Sequence, residues 1–483
     1  MVSSFLFVPV YISLLGEEAY GLVTFFTTLQ TVLNLLGLGL SKTLRREFAA
    51  DESSGKDACY KYRALRSIEF IYGIISVFIV VLCGVGAHYL STRYLVLETL
   101  DTQSAELAIR MMGWSIAAQL LSNLYVGCLF GQERQVLANA LQIAWSAAKS
   151  IGVIAVLFFV SNNVVAFYTW HASIDLLYAV ILRFIIMQSL YKSKLPLRWI
   201  PRDILQLKEL LRFALGLMIV SIGYTINTQA DKMIISGAFS LSQLGAYNTA
   251  YQLGSSTSIL VSAMGIALFP RLTNHFTAGR EADMNGLYVL SCQLGYIPTM
   301  MFGVYLALFS NEILLLWTRS EQIAAAMEWA APLLIIGSLM NSLQELPYNY
   351  FLSRGITIVN NIQTSVCILY VVTVTPVLIR YYGLVGAGLA WLVEMLVSTC
   401  VYIAYFYHSF FKGSVLKRFA VDFLFPLLAA LITAAACRVL CSYLSLNAGM
   451  TLVFAIIAGL SSMLLMLIKY FGTDIREILS RFE

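Results

Sequence analysis

Fourteen apolar stretches follow one another along this chain, and most of its positive charge falls between alternate pairs of them. A helix needs roughly 20 apolar residues to cross a hydrocarbon core about 30 Å thick. Stretches of that order recur from Tyr20 onward with little polar sequence between them. With 59% hydrophobic and 12% charged residues, a water-soluble fold would lack the polar side chains to cover its surface. The expected fold is therefore an all-α polytopic membrane protein of about 14 transmembrane helices. Outer-membrane strands are excluded, because they would be about 10 residues long and alternate in polarity, whereas these runs are continuous.

The first six expected spans are Ser3–Leu15, Tyr20–Leu40, Ile68–Leu90, Leu107–Gly131, Ala140–Val160 and Phe167–Leu190. The next six are Phe213–Phe239, Ala246–Pro270, Tyr288–Leu308, Ala330–Arg354, Ile362–Arg380 and Gly386–Phe406, and Phe423–Tyr443 and Met450–Tyr470 close the chain. With the N-terminus placed in the cytoplasm, cytoplasmic loops and the tail hold 23 of the 31 lysines and arginines, and external loops hold four. Such a bias sets orientation in the inner membrane, with both termini cytoplasmic. It also supports the span count, because one missed helix would invert every later loop.

The organisation expected from this map is an N-terminal lobe at 1–190, a cytoplasmic linker at 191–212, a C-terminal lobe at 213–410 and two additional spans with a tail at 411–483. In the linker, Asp203, Lys208, Glu209 and Arg212 interleave with Ile204, Leu205, Leu207, Leu210 and Leu211, the pattern of an amphipathic helix lying in the membrane plane; a plain charged linker is the alternative. The two lobes carry a weak internal echo. Gly16-Glu-Glu-Ala-Tyr20 opens span two, and Gln243-Leu-Gly-Ala-Tyr247 opens span eight, six spans later. An even offset keeps the repeats parallel, related by an axis along the membrane normal.

Charge within a span costs about 2.5–3.5 kcal/mol on insertion scales, so each instance needs a reason. Lys149 lies mid-span, too deep to snorkel; it either faces an anionic substrate as a cavity cation or forms a buried ion pair with Asp175. Asp175 and Arg183 lie eight residues apart on span six, near one face. Asn227, Gln229, Asp231 and Lys232 make span seven unusually polar. Arg110 sits within a turn of the external end of span four, where it can snorkel. Glu345 and Glu394 can bind a coupling ion or neutralise a cation. Pro298, Pro347, Pro376 and Pro426 are expected to kink their spans.

Several function classes fall away. The eight cysteines form no CxxC pair and lie mostly in apolar runs, which argues against disulfides and zinc, and the Cys437/Cys441 spacing reads as helix packing. There is no Walker loop, no GxGxxG after a strand and no HExxH, so no catalytic residue, metal or cofactor is expected. The net charge of +5 reflects topology signals rather than a nucleic-acid partner.

Two opening segments, FVPVYISLLGEEAYGLV at Phe7–Val23 and LQTVLNLLGLGLSKTLRRE at Leu29–Glu47, resemble bacterial oligosaccharide-lipid flippases of the O-antigen and polysaccharide exporter family. That family belongs to the superfamily of multidrug exporters, polysaccharide exporters and lipid II flippases. Asp231-Lys232 with Leu244-Gly-Ala-Tyr247, and Gly383-Leu-Val-Gly-Ala-Gly388, extend the resemblance. It implies a V-shaped pair of six-helix lobes around a cavity, plus two C-terminal helices. It also implies alternating access that moves a polyprenyl-pyrophosphate-linked oligosaccharide across the membrane for surface polysaccharide assembly. Lys149, Arg183, Asp175, Asn227, Asp231 and Lys232 are then the expected substrate contacts, with Glu345 and Glu394 for ion coupling. Partners would be the lipid-linked substrate, membrane lipids, and polysaccharide polymerase and chain-length proteins. The alternatives are a cation-coupled multidrug exporter, and a membrane-embedded glycan polymerase or glycosyltransferase, which would need a sizeable external loop. Ser3–Leu15 spans only about 20 Å as helix, and in the family such a segment resembles the second half of the first helix. The chain is therefore expected to lack about 10–20 N-terminal residues, apolar with a basic cytoplasmic end.

Overall fold

Glycine at a positive φ of 85° separates the first two helices at Gly16, a conformation that side-chain-bearing residues adopt only with strain. The structure is a computed structural model that describes residues 2–49, 58–191, 223, 225–411 and 415–471. The linker at 192–212, most of the first half of span seven and the tail from 472 lie outside the described residues, so the amphipathic linker helix stays a sequence expectation. Among the described residues there is no strand, and the isolated bridge between Val96 and Ser240 is the sole β pairing.

The chain divides into two compact units, Met1–Gly245 and Ala246–Glu483. The first contains α1 (Val2–Leu15), α2 (Glu17–Ala49), α3 (Ala58–Tyr89), α4 (Thr102–Gly131), α5 (Gln135–Phe159), α6 (Val164–Tyr191) and α7 (225–238). Its centre is α4, which packs against α2, α3 and α6. This helix is rich in small residues, and they explain its position. A Cβ on Gly113 would stand 2.8 Å from Cys83 Cβ, and one on Gly127 would stand 2.9 Å from Ser41 Oγ. Helices in lipid gain no hydrophobic drive from meeting, so close backbone approach through small residues is what binds them. By contrast α5 leaves Val136, Ile143, Ile151 and Phe158 exposed as an apolar outer face.

The second unit takes up α8 (Leu241–Ser255) from Ala246 onward and contains α9 (Ser258–Thr277), α10 (Glu281–Leu308), α11 (Ser310–Thr318), α12 (Glu321–Ala326), α13 (Ala330–Leu343), α14 (Glu345–Ser353), α15 (Ile358–Phe410), α16 (Val415–Arg418), α17 (Phe425–Tyr443) and α18 (Ala448–Phe471). Here α10 is central, packing against α9, α13, α17 and α18. Expected span eight is bent by 46° between α8 and α9. Expected span ten breaks at Gln344 into α13 and α14. Expected spans eleven and twelve form one 53-residue element folded back at Gly383 (φ 60°, ψ −138°).

Two of the four prolines expected inside helices do sit there, Pro298 and Pro376. Pro347 lies instead in the first turn of α14, where the missing N–H has no partner to lose, and Pro426 is the second residue of α17, with helix running into it unbroken. Pro426 follows a π-helical turn over Phe419–Leu424. Among the described residues, seven helices are long and apolar enough to cross a membrane, or eight counting the bent pair. The fourteen expected crossings exceed this count where a span is broken, shorter, more polar or outside the described residues.

The ends read as external are tied to one another within the first unit. Tyr94 donates from its hydroxyl to the carbonyl of Met233 at 2.6 Å. The carboxylate of Glu18 accepts from the backbone N–H of Glu98, Thr99 and Leu100 at 2.6–2.8 Å, and from the Thr99 hydroxyl. Burial pushes this carboxyl upward, but those hydrogen bonds outweigh it and hold it below the usual carboxylate range. Its contribution to stability is therefore present at neutral pH and lost as pH falls through the lowered folded value. Glu18→Ala strands three N–H donors and is expected to cost about 2–3 kcal/mol. Thermal unfolding should show that loss, and limited proteolysis should cut near Thr99; an unchanged midpoint and an uncut loop would refute the clamp. Beside it, α2 crosses the start of α8, with Gly21 against the backbone of Leu241 and Gly245 against Tyr20. These are the two segments that carry the internal echo.

Candidate functional site

Apolar helices place few polar groups in a membrane interior, so clusters of them mark the sites worth building. The first forms where α4, α5 and α6 meet. Asp175, on α6, is fully buried and accepts five hydrogen bonds. Lys149 Nζ donates to both its oxygens, at 2.9 and 3.2 Å. Trp145 Nε1 donates at 2.9 Å, Gln119 Nε2 at 2.8 Å, and the Ser115 hydroxyl completes the set. Gln119 is itself bonded by Gln30 from α2. Trp145 and Lys149 share one face of α5 because they are four residues apart. The same spacing aligns Ser115 with Gln119 on α4.

Lys149 thus makes the ion pair that was the alternative reading from sequence, and its side chain keeps 13% exposure. Its ammonium also lies 5.2 Å from the Trp145 ring, which stacks on Tyr178 at 5.1 Å. A cation over an aromatic face is stabilised by the ring quadrupole. The arrangement holds one positive and one negative charge together inside the helices, with an aromatic surface alongside. Chemically it can bind an anion through Lys149 if the pair opens, or act as an electrostatic joint between α5 and α6.

Arg183 joins a different cluster. Its Nε donates to Glu69 Oε1 at 3.2 Å, where the Tyr125 hydroxyl also donates at 2.7 Å, and Arg66 bonds the other oxygen at 2.5 Å. Asp175 and Arg183 share a helix but no partner in these contacts. Arg110 pairs with Glu106 at 2.5 Å near the external end of α4. The hydrogen bond from His88 and the charge of Arg110 hold the Glu106 carboxyl below its ordinary value. On α7, Lys232 is buried and donates to the carbonyl of Thr228 at 2.9 Å. Asn227 Oδ1 is buried without a hydrogen-bond partner among the described residues, and Asp231 follows one turn later.

In the second unit, Gln344, Gln363, Ser398 and Thr399 join α13 to both arms of α15. Gln344 donates to the Thr399 hydroxyl at 2.6 Å, and Gln363 donates to Ser398 at 2.9 Å and to Gln344. Glu394 is buried beside them in the wall of an apolar cleft of about 470 Å³ between the arms of α15. Glu345 is not part of this group; its carboxylate accepts from Asn349 at 3.3 Å. The sequence pointed to the charged members, together with Asn227 and Gln229 on span seven. Ser115, Gln119, Glu69, Gln363 and Ser398 were missed, although the i,i+4 pair Ser115/Gln119 inside an apolar run was a usable signal.

Comparisons with known proteins give the same direction. A family model described as polysaccharide biosynthesis protein matches residues 1–276, and a MatE model matches residues 217–377. The chain is 20% identical over 385 residues to a protein of Shigella flexneri named "Putative O-antigen transporter", covering 80% of this chain and 88% of that one. Its fold is similar to the lipid II flippase MurJ in an inward closed conformation, with a TM-score of 0.70, 15% identity, and coverage of 97% and 96% of the two chains. An inward-facing multidrug resistance MATE family transporter of the MOP superfamily gives 0.68 at 14% identity, over 85% and 94%.

Proposed function

The chain belongs to the polysaccharide biosynthesis protein family, and from that premise we propose that it is a flippase for a polyprenyl-pyrophosphate-linked oligosaccharide. It works by alternating access across the cytoplasmic membrane and is a transporter rather than an enzyme. The observation that carries this reading is the similarity to the named O-antigen transporter along most of both chains. The buried pair Lys149–Asp175 adds a physical reason, since a charge held this deep is costly unless it serves a passage or a joint.

In this mechanism Lys149 exchanges Asp175 for a pyrophosphate oxygen as the substrate enters, and Asp175 recaptures it afterwards. Asn227, Asp231 and Lys232 on α7 supply polar contacts to the sugars. Glu345 and Glu394 are the proposed ion-coupling carboxylates. Both termini lie in the cytoplasm, and a polymerase and chain-length proteins receive the product outside.

Reconstitution in vesicles with a lipid-linked oligosaccharide tests this. Sugars that start inside should become accessible to an external lectin at a rate set by the protein. A lectin signal no faster than in empty vesicles would overturn the proposal. The MatE match keeps the multidrug reading in view; uptake of a lipophilic cation driven by an ion gradient, with no glycan movement, would favour it. Lengthening of the glycan by the pure protein would favour a polymerase.

A further inference from the structure

Two arginines that share one buried carboxylate face a cleft between α3 and α6. The cleft holds about 450 Å³ and is lined by Tyr62, Arg66, Val180, Arg183, Phe184 and Met187. Arg66 and Arg183 come from helices more than 100 residues apart in sequence and converge on opposite oxygens of Glu69. Glu69 is buried, with its side chain 8% exposed, while the two guanidinium side chains are 32% and 48% exposed. The carboxylate therefore serves as an anchor beneath, and the cations are what a ligand in the cleft would meet. Two guanidiniums meet a single carboxylate here, so the charged lining of the cleft is cationic.

The surroundings decide what kind of anion fits. Val180 and Phe184 are 64% and 66% exposed, and Phe70, Ile74 and Leu177 continue the apolar surface along α3 and α6. Such a face suits hydrocarbon. Arg66 lies just before span three, at the end that carries the basic loop with Lys61 and Arg63. Arg183 reaches toward that same end to meet Glu69. A headgroup phosphate at the arginines would thus leave its acyl chains along Phe184 and Val180. Basic pockets between helices at the cytoplasmic surface are general binding places for anionic lipid headgroups.

We propose that this cleft binds one anionic glycerophospholipid of the cytoplasmic leaflet, its phosphodiester held between Arg66 and Arg183. A phosphodiester supplies the negative charge that a cationic lining favours. The pyrophosphate of the transported lipid is the rival occupant, and competition between the two separates them. This assignment does not depend on the flippase proposal, because it is read on the protein at rest.

Native mass spectrometry of the delipidated full chain in detergent tests it. The probes are phosphatidylglycerol, phosphatidylcholine and inorganic pyrophosphate. One phosphatidylglycerol per chain should be retained at concentrations where phosphatidylcholine is not. The double variant Arg66→Gln/Arg183→Gln should weaken that retention by at least about tenfold, as expected for losing charge-assisted hydrogen bonds. Because that variant disturbs Glu69, Val180→Trp provides the second arm: it fills the cleft from an exposed position and leaves both ion pairs in place. It should weaken retention equally without lowering the thermal unfolding midpoint. Equal retention of the two phospholipids, or undiminished binding by Val180→Trp, would overturn the proposal. So would displacement of phosphatidylglycerol by equimolar pyrophosphate, which would mark a pyrophosphate site instead.

Discussion

Lys149→Ala is expected to abolish glycan export, and to destabilise the first unit by about 3–5 kcal/mol because it leaves Asp175 charged, buried and short of its cation. The double variant Lys149→Ala/Asp175→Ala separates the two effects. Removing both charges takes away the stranded carboxylate, so membrane-inserted protein and thermal stability should recover substantially. Export should not recover, because the cation offered to the pyrophosphate is still missing. Export restored along with stability would make the pair a structural joint and nothing more. Single-variant export at the unaltered level would remove Lys149 from the transport path altogether.

Gly21→Ala should be nearly as damaging, although it adds one methyl group. A Cβ at Gly21 would stand 1.8 Å from the carbonyl oxygen of Leu241, and backbone cannot rotate away as a side chain can. The crossing of α2 and α8 would have to open by about 1 Å or more before the contact became tolerable, at the cost typical of overpacking, roughly 1–3 kcal/mol. We expect loss of export with normal insertion, and weaker cross-linking between cysteines placed at Tyr20 and Gly245. Gly73→Ala is the control: nothing lies within 4 Å of a Cβ there, and export should be unchanged. Full export by Gly21→Ala would show that this crossing can open without consequence.

The helical membrane architecture was legible because hydropathy and the lysine and arginine bias act over whole segments, and no local detail overrides them. Charges inside apolar runs were equally visible, which is why Lys149 and Asp175 stood out as a possible pair. What surrounds them was not. Ser115 and Gln119 are ordinary neutral residues on α4, and only the packing of α4 against α6 gives them Asp175 as a partner. Glu69 lies at the very start of expected span three, three residues after Arg66, where a charge needs no special reason; its second arginine comes from α6. Breaks were missed for a local reason. The segment 310–326 read as an external loop, yet Ser320 accepts from the N–H of Ile323 and starts α12. Pro347 was taken for a mid-helix kink because its position in a first turn depends on the break at Gln344.

The joint at Gly383 has a mechanical consequence. One residue reverses the chain, and a Cβ on nearby Gly386 would meet the carbonyl of Leu378 at 2.0 Å, so the two arms of α15 are seated against each other immediately beyond the turn. A loop of several residues can absorb the tilt of one helix without passing it to the next. Here there is no slack. Gln363 and Ser398 fasten the arms again farther along, so the hairpin behaves as a stiff lever with its fulcrum at the glycine. A displacement of span eleven is therefore expected to carry span twelve with it.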